Sequence, residues 1–377
     1  MADPLKTMII ADICSREGTA IALAFLKFPQ TWTVKGLTRD VRAASSRRLQ
    51  TYGVDIQPFD NSTPETDILD YFQGANVIVA ATSFRSHLFE HSTHSYAAVD
   101  KRRSLAEIAS VCETQQGVKI LRAANEVSTL ERLILVTQPS GIDQDGLFRG
   151  MWSFKGKFDT RAYLEGNLWD LANKTSYLQP GLPMDGYIAH MKRVSIDGTQ
   201  HELLTHEGLE QFPQDTFTFG LTCHEDTVLP WTCRNDIGFF AHLLVYLPTQ
   251  NLAAVSDYKS GAEIREMIQR IGGVRTTWQQ STVADLERHN PHRGQLLADI
   301  WAHVERSEGY FSSDLGALPP AYMAAQYGMV IPTTSFEAFL EVDLPAKFRG
   351  EVEPASAFVS TPAPETEDDF AMIDFLE

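Results

Sequence analysis

The 377-residue sequence predicts an α/β fold in which a doubly wound parallel sheet is followed by a smaller C-terminal lobe. Two observations carry this prediction. Strand-like and helix-like segments alternate as far as residue 137, which is typical of a parallel sheet covered by helices on both faces. The segment NVIVAA at 76–81 is wholly apolar, which indicates a strand that is buried on both faces.

The alternation runs in order along the first part of the chain. Strands are predicted over 7–11, 31–37, 54–59, 76–81 and 133–137, and helices over 19–28, 41–52, 64–72 and 105–115. Short apolar or β-branched runs mark the strands. Gly53 directly follows the second helix and Gly74 lies two residues after the third, and glycine is the usual C-terminal stop of a helix. This order predicts a Rossmann-type sheet.

The regular pattern breaks at the Pro-Gly-Leu-Pro run of residues 180–183. The sequence therefore predicts a Rossmann-type dinucleotide-binding domain over 1–181. A smaller substrate or partner lobe is predicted over 182–348, with a return to the sheet around 227–250. The composition from 349–377 is acidic and rich in Pro, Ala, Ser and Thr, which predicts a disordered acidic tail.

Charge and cysteine content exclude several classes of protein. The net charge is −17, with 32 basic and 49 acidic residues, whereas nucleic-acid binders show a basic footprint. Anionic membranes are unsuitable partners for the same reason. The four cysteines show no C-x-x-C spacing, the N-terminus has no signal-peptide pattern, and the longest apolar stretch, 238–247, is too short to cross a bilayer. We therefore expect a cytoplasmic protein with no direct nucleic-acid or membrane partner.

The last residues of the chain combine acidic and bulky apolar side chains. Eight acidic residues and no Lys or Arg lie between 351 and 377. The alternation within 365–377 favours a short segment that folds onto a protein partner. A tail that only improves solubility is the alternative interpretation.

Ligands of such sheets bind beyond the carboxyl ends of the strands, where the strand order reverses. The loop after the first strand reads Asp12-Ile13-Cys14-Ser15-Arg16-Glu17-Gly18. Only Gly18 remains of the three glycines that usually let the backbone approach a pyrophosphate. Asp12 places a negative charge near the expected diphosphate, and Arg16 could offset it. The alternative is a Rossmann-type sheet whose cofactor site has been lost.

The end of the second strand points to the identity of the nucleotide. Arg39 follows this strand, where an arginine can hold the 2′-phosphate of NADP. The sequence therefore favours NADP as the cofactor, with NAD as the second choice. The alternative is a solvated basic helix face, since Arg42, Arg47 and Arg48 follow in the sequence.

The phrases at the strand ends resemble those of the NmrA-like family, which are atypical short-chain dehydrogenase/reductases. The resemblance rests on LTRD after strand two, Asp60 after strand three and ANVIVAATSF at strand four. It continues through ERLILVTQPS, KFDTRAYLEGNL, TSYLQPGLPMDGY, VLPWTCRNDIG and SGAEIREMIQRIGG. It covers most of residues 7 to 345 and implies a fungal member.

The resemblance implies an NAD(P)H-dependent oxidoreductase acting on a small organic carbonyl, quinone or enone. A tailoring step of fungal secondary metabolism is the implied setting. The family also implies an alternative, namely a non-catalytic NAD(P)-binding redox sensor or corepressor in the nucleus. The cofactor-binding residues implied by the resemblance are Cys14, Ser15, Arg16, Glu17, Gly18, Arg39, Asp60, Thr82, Ser83, Phe84 and Pro180.

Enzymes of the family carry a lysine shortly after the fifth strand, and the resemblance puts Arg161 of FDTRA in that place. Arginine stays protonated and cannot act as a general base, but it can bind a ribose or a substrate carbonyl. Lys157 lies four residues earlier and is the second catalytic candidate, although a surface position is the more common fate of a lysine. No tyrosine of the chain has a lysine four residues later, so the usual Tyr-x-x-x-Lys pair is missing.

Three histidines after the fourth strand have a spacing that one helix face could present to a metal ion. They are His87, His91 and His94. Acidic partners are sparse around them, so the sequence favours polar histidines near the mouth of the pocket. We therefore predict no metal site.

Overall fold

A computed structural model describes residues 5–348 except 61, 144–145, 149, 195–199, 203–215, 290, 308, 312–313 and 315. The strands are β1 (Lys6–Ile10), β2 (Trp32–Thr38), β3 (Asp55–Pro58), β4 (Val77–Ala80), β5 (Arg132–Val136), β6 (Thr175–Pro180), β7 (Leu182–Pro183), β8 (Met191–Val194), β9 (Gln200–Glu202), β10 (Thr216–Phe219), β11 (Val228–Thr232), β12 (Asn251–Ala254), β13 (Asp257–Ser260) and β14 (Thr276–Trp278). The helices are α1 (Arg16–Phe25), α2 (Ala44–Thr51), α3 (Glu65–Phe72), α4 (Phe84–Leu88), α5 (His91–Val99), α6 (Leu105–Asn125), α7 (Trp152–Asn167), α8 (Trp169–Ala172), α9 (Arg234–Tyr246), α10 (Gly261–Gly272), α11 (Val283–His289), α12 (Pro291–Arg306), α13 (Pro320–Tyr327) and α14 (Phe336–Phe348), with a 3₁₀ helix over Met184–His190.

A seven-stranded parallel sheet forms the centre of the fold. Its strand order is β12-β6-β5-β4-β1-β2-β3, and every neighbouring pair is parallel. The order reverses between β1 and β4, so the chain leaves β3 at one edge and returns to the middle of the sheet. This confirms the predicted doubly wound α/β fold, and it places the crevice for a ligand beside the end of β1.

Helices cover both faces of this sheet because its strands are apolar on both sides. Ile10 of β1 packs in a cluster with Phe25 of α1 and Phe240 of α9. The neighbouring Ile9 points to the opposite face, where it packs in a cluster with Leu121 of α6. Successive strand residues face opposite sides, so a central strand needs apolar residues throughout. The apolar strand runs in the sequence are thus explained by burial.

The smaller lobe is built on two short sheets and a core rich in aromatic residues. Their strand orders are β14-β10-β8-β9 and β13-β11-β7. Trp231 and Trp301 are almost fully buried in this core, together with Phe217. The Asp236 carboxylate of α9 accepts hydrogen bonds from the backbone N–H and the hydroxyl of Thr334, both at 2.8 Å. The segment that precedes α14 is therefore fastened to a helix that covers the main sheet.

The return to the main sheet is made by α9 and β12. Residues 227–250, where the sequence predicts this return, contain β11 and α9. The strand that rejoins the main sheet is β12, which starts at Asn251, one residue after the predicted range, and pairs with β6 at the edge of the sheet. The predicted tail over 349–377 lies outside the described residues.

One predicted helix is much longer in the structure. The sequence predicts its end at residue 115, whereas α6 runs from Leu105 to Asn125. Gly117 weakens the local helical preference, but it is buried where α6 meets Thr160 of α7. Tertiary contact outweighs intrinsic propensity here. In the described part of the chain, no helix combines the length and apolar character that crossing a membrane requires.

We predict that Gly18→Ala lowers the stability of the protein. A Cβ atom at Gly18 would lie 2.5 Å from the backbone carbonyl oxygen of Asp12, which cannot move without disturbing the loop after β1. Such overpacking costs roughly 1–3 kcal/mol. The measurement is the free energy of unfolding in urea, compared at equal m-value.

Gly166→Ala is the matched control, because this exposed position near the end of α7 has open space around its Cβ. It should leave stability unchanged or raise it by up to about 1 kcal/mol. Equal effects of the two substitutions would contradict the close approach at Gly18.

Candidate functional site

A small cleft that is open to solvent lies at the carboxyl ends of β1, β2 and β4. Asp12 stands at its base, Arg39 on the side of β2, and Ser83, Ser86 and His87 on the side of β4. This is the point where the strand order reverses. The structure thus forms a crevice at the place where open α/β sheets bind ligands.

The loop after β1 is compact because two local features close it. Asp12 adopts the left-handed conformation, with φ of 53°, which residues other than glycine seldom take. The backbone carbonyl of Asp12 then accepts a hydrogen bond from the N–H of Ser15 at 2.9 Å. Ser15 caps α1, since its hydroxyl accepts a hydrogen bond from the N–H of Gly18 at 3.0 Å. One N–H of the first helical turn is therefore satisfied by the protein's own side chain.

The Asp12 carboxyl group is the main electrostatic feature of the cleft. Burial raises the pKa of Asp12 to about 6, because the charged form loses water. Arg39 and Lys157 act in the opposite direction, whereas Glu17 and Glu113 add to the rise. The group is therefore charged at neutral pH and becomes neutral in mildly acidic solution.

Arg39 reaches across the opening of the cleft. Its guanidinium donates a hydrogen bond to the Ser86 hydroxyl on α4 at 2.5 Å, although the arginine itself is exposed. Ser86 is in turn held by Ser83, which caps α4 and whose hydroxyl accepts a hydrogen bond from the Ser86 hydroxyl at 3.0 Å. The positively charged guanidinium of Arg39 therefore lies on the rim of the cleft, where the hydrogen bond to Ser86 orients this exposed side chain.

Arg16 does not neutralise Asp12, which corrects an expectation from the sequence. Its guanidinium donates to the backbone carbonyl of Thr232 at 3.0 Å and lies 3.5 Å from the Asp185 carboxylate. Both partners belong to the smaller lobe. Arg16 therefore links the first turn of α1 to that lobe, because its side chain points away from the cleft.

The remaining candidates in the loop and at the strand ends have separate surroundings. The Cys14 thiol lies 3.2 Å from the Ser46 hydroxyl of α2, so it faces that helix. Asp60 is exposed after β3, and hydrogen bonds from Ser62 and Thr63 lower the pKa of its carboxyl group. Pro180 is buried at the end of β6, where its carbonyl accepts from the Gln138 amide at 3.2 Å.

Phe84 begins α4 and is 6% exposed, because it packs with apolar side chains from α4 and α6. Its aromatic ring is therefore part of the wall that supports Ser83 and Ser86. The structure brings Gly18, Arg39 and Ser83 around Asp12, whereas Cys14 and Arg16 point to other parts of the molecule.

Lys157 points inward, against the expectation of a surface lysine. Only 13% of its side chain is exposed. The ammonium group donates to the backbone carbonyl of Thr82 at 2.5 Å, to the Thr82 hydroxyl at 3.1 Å and to Glu113 Oε1 at 2.8 Å. Thr82 lies two residues beyond the end of β4, and the positive charge of Lys157 lowers the pKa of Asp12. The lysine is therefore held at the carboxyl end of the sheet, beside the cleft.

Arg161 is held against β6 and is not among the residues that line the cleft, so its catalytic role stays a prediction. It forms ion pairs with Glu165, at 2.8 Å, and with Asp314. Its guanidinium also stacks on the Tyr177 ring of β6, 4.3 Å from the ring centre. Arg161 lies one helical turn beyond Lys157, and these contacts hold it against β6 and the segment around Asp314. Lys157 is therefore the residue of α7 that the structure places by the cleft.

Glu113 and Gln116 are site residues that the sequence analysis missed. Glu113 of α6 is fully buried beside Lys157, and Gln116 lines the cleft and contacts His87 Nε2 at 3.0 Å. A helical-period signal was available in α6: Glu113, Gln116 and the buried Ile120 recur at intervals of three and four residues. A polar residue on such a face points to a buried polar contact.

The three histidines after β4 do not form a shared face. His87 belongs to α4, which ends at Leu88, whereas His91 and His94 belong to α5. His87 is 2% exposed and lies in the cleft wall. Within the described residues, no cluster of three or more His, Cys, Asp or Glu side chains could hold a metal ion.

The sequence matches no protein-family model and no curated protein. The fold, however, is similar to several solved structures. One is NmrA, a negative transcriptional regulator, in complex with NADP, with a TM-score of 0.65, 12% identity, and coverage of 93% of this chain and 99% of that chain. Another is an NADPH-dependent quinone oxidoreductase from Escherichia coli complexed with NADPH, with a TM-score of 0.57, 14% identity, and coverage of 88% and 98%. A third is an isoflavone reductase, with a TM-score of 0.57, 15% identity, and coverage of 89% and 99%. At these identities the similarity establishes the fold.

We predict that Asp12→Asn stabilises the protein at neutral pH and not in acid. The folded-state pKa of about 6 lies above the ordinary value of 3.8, so folded protein binds the proton more tightly. Its contribution to stability is complete below about pH 4 and is lost as the pH rises to 6. Asparagine tolerates the left-handed conformation and carries no charge. The variant should gain up to about 3 kcal/mol at pH 7.5 and nothing at pH 4.

The measurement is the free energy of unfolding of both proteins between pH 4 and 8. Asp70→Asn, which removes an exposed carboxylate of α3, should show no such pH-dependent gain. An effect of Asp12→Asn that is the same at every pH would show that burial does not perturb this carboxyl group.

Proposed function

We propose that this chain is an NmrA-like, NAD(P)H-dependent oxidoreductase that reduces a small organic carbonyl, quinone or enone. The observation that carries the proposal is the placement of two cations at the switch point of the sheet. Arg39 lies on the β2 side of the cleft, and Lys157 lies behind Thr82 at the end of β4. The solved structures of similar fold that bind NADP or NADPH support this interpretation.

NADP is the proposed cofactor, with NAD as the alternative. The residues present fit a dinucleotide in part. Gly18 provides the close approach of α1 to the end of β1, and the exposed Arg39 would hold a 2′-phosphate. Asp12 opposes the diphosphate while it is charged, and its raised pKa lessens that opposition in mild acid. The hydroxyls of Ser83 and Thr82 lie at the β4 end, where the nicotinamide half would be bound.

The cofactor and the protein would each supply part of the catalytic chemistry. A reduced nicotinamide supplies the hydride when it is bound, and the protein orients it and excludes competing reactions. The positive charge of Lys157 would stabilise negative charge that develops on a substrate oxygen at this end of the sheet. Since the chain lacks the Tyr-x-x-x-Lys pair, we propose water as the source of the proton.

A non-catalytic NAD(P) sensor or corepressor is the second candidate, and Asp12 favours it. A carboxylate at the base of the cleft weakens diphosphate binding, and a sensor needs no proton relay. In this case we propose that residues 365–377, which lie outside the described part of the chain, bind a protein partner. The proposed location is the nucleus for the sensor and the cytoplasm for the reductase, with fungal secondary metabolism as its setting.

We predict that Arg39→Glu weakens NADPH binding by about 10- to 100-fold, because a charge-assisted hydrogen bond contributes roughly 1.5–3 kcal/mol. NADH binding should change much less, since NADH lacks the 2′-phosphate. The measurement is calorimetric titration of the purified protein with NADPH and NADH. The control is Arg275→Glu, the same charge change at an exposed position in the smaller lobe.

The activity test adds a panel of quinones and enones and follows the oxidation of NADPH. Turnover whose KM for NADPH rises in Arg39→Glu supports the reductase. Tight binding without turnover supports the sensor, and deletion of 365–377 should then remove its partner. A protein that binds neither dinucleotide would overturn both candidates.

A further inference from the structure

We infer that Glu113 is a positioning residue that holds the Lys157 ammonium at the carboxyl end of β4 as a fixed positive charge. The placement of the pair stands on the contacts of α6, α7 and β4. Its role in catalysis or cofactor binding rests on the proposed function. Glu113 itself faces the lysine and not the cleft, so it would act through Lys157.

The contacts of Lys157 use its complete hydrogen-bonding capacity. An ammonium group has three N–H donors and no acceptor. Thr82 accepts two of them, through its carbonyl at 2.5 Å and its hydroxyl at 3.1 Å, and Glu113 Oε1 accepts the third at 2.8 Å. A substrate or ribose could receive a hydrogen bond from Lys157 only if one of these contacts were broken. In the state described, the lysine therefore contributes charge and not a mobile proton.

Glu113 supplies the negative charge that makes this arrangement stable. Its side chain is fully buried and that of Lys157 is 13% exposed. Removal of one partner of a buried ion pair is strongly destabilising, because it leaves an uncompensated charge. The Thr82 hydroxyl donates to the same Glu113 Oε1 at 2.9 Å, whereas Oε2 has no hydrogen-bond partner among the described residues. The carboxylate thus depends on Lys157 and Thr82 for its polar contacts.

The packing of α6 against α7 brings the two charges together. Gly156 precedes Lys157, and a Cβ atom there would lie 2.7 Å from Glu113 Oε2 and 2.8 Å from the Ser110 carbonyl oxygen. Glycine therefore permits the backbone of α7 to approach Glu113 closely. The same approach directs Lys157 toward Thr82 and away from solvent. The buried pair is consequently a product of helix packing and not of a chance side-chain rotamer.

Lysine labelling tests whether Glu113 holds Lys157. The full-length protein is treated with trinitrobenzenesulfonate, which attacks only neutral and accessible amines, and the labelled lysines are quantified by mass spectrometry. Lys155 of the same helix is the internal control, since its side chain is 36% exposed and pairs with Asp159. We expect Lys157 to react at least about tenfold more slowly than Lys155, a ratio equivalent to about 1.4 kcal/mol.

Glu113→Gln should accelerate the labelling of Lys157 by at least about tenfold and leave Lys155 unchanged. Wild-type Lys157 that reacts as fast as Lys155 would overturn the inference, and so would unchanged protection in a folded Glu113→Gln protein. If Glu113→Gln does not fold, Thr82→Val decides between the two acceptors. This variant removes one neutral acceptor and keeps Glu113, so Lys157 should stay protected. Release of Lys157 by Thr82→Val would identify Thr82 as the positioning residue instead.

A binding measurement separates a charge that acts on the nucleotide from a merely structural pair. NADPH dissociation constants are measured for the wild type and for the double variant Glu113→Gln/Lys157→Met, which removes both buried charges together and leaves neither unpaired. We expect the double variant to bind NADPH at least about tenfold more weakly. An unchanged dissociation constant would show that the pair is merely structural and would overturn the role of Lys157. Failure of the wild type to bind NADPH would reject the proposed function, while the labelling result would still decide the placement of Glu113.

Discussion

The close approach of α1 to the end of β1 is the constraint on which the cleft depends. A side chain at Gly18 would collide with the backbone of Asp12, so the helix can start at this point only with glycine. The tight loop then holds Asp12 in the left-handed conformation and turns its carboxyl group into the crevice between β1, β2 and β4. The electrostatics of the site follow from that position.

Positively and negatively charged side chains lie close together around the crevice, so their charges partly offset one another. Asp12 is desolvated by burial, and the positive charges of Arg39 and Lys157 both lower the pKa of its carboxyl group. Glu113 reduces the net effect of Lys157 because the two form a buried ion pair. Because the charges nearly offset one another, protonation of Asp12 or binding of an anionic ligand would change the electrostatic potential in the crevice strongly.

The sequence was sufficient to predict the architecture because the strands are buried on both faces. Ile9 and Ile10 pack on opposite sides of the sheet, and such strands appear in the sequence as unbroken apolar runs. The site was predicted less completely. The resemblance of the motif FDTRA to the family pointed to Arg161 as the catalytic residue. The helical period instead places Lys157 on the buried face of α7, with Thr160 and Leu164. Whether a residue is buried between two helices depends on the tertiary packing, and a short sequence motif does not specify that packing.

Glu113 illustrates even more clearly why the sequence does not identify every residue of the site. A glutamate within a long helix usually faces water, and only the closely packed neighbour α7 makes this one a buried partner of Lys157. The direction of Arg16 was equally inaccessible, because its partners Thr232 and Asp185 come from distant parts of the chain. Contacts between segments that are far apart in sequence therefore decided which polar residues belong to the site.

The most direct test is a crystal structure of the full-length protein with bound NADPH. We expect the diphosphate at the first turn of α1 beside Gly18. We also expect the Arg39 guanidinium to leave the Ser86 hydroxyl for the 2′-phosphate. A crevice in which Arg39 still contacts Ser86 and which excludes the nucleotide at saturating concentration would contradict both expectations.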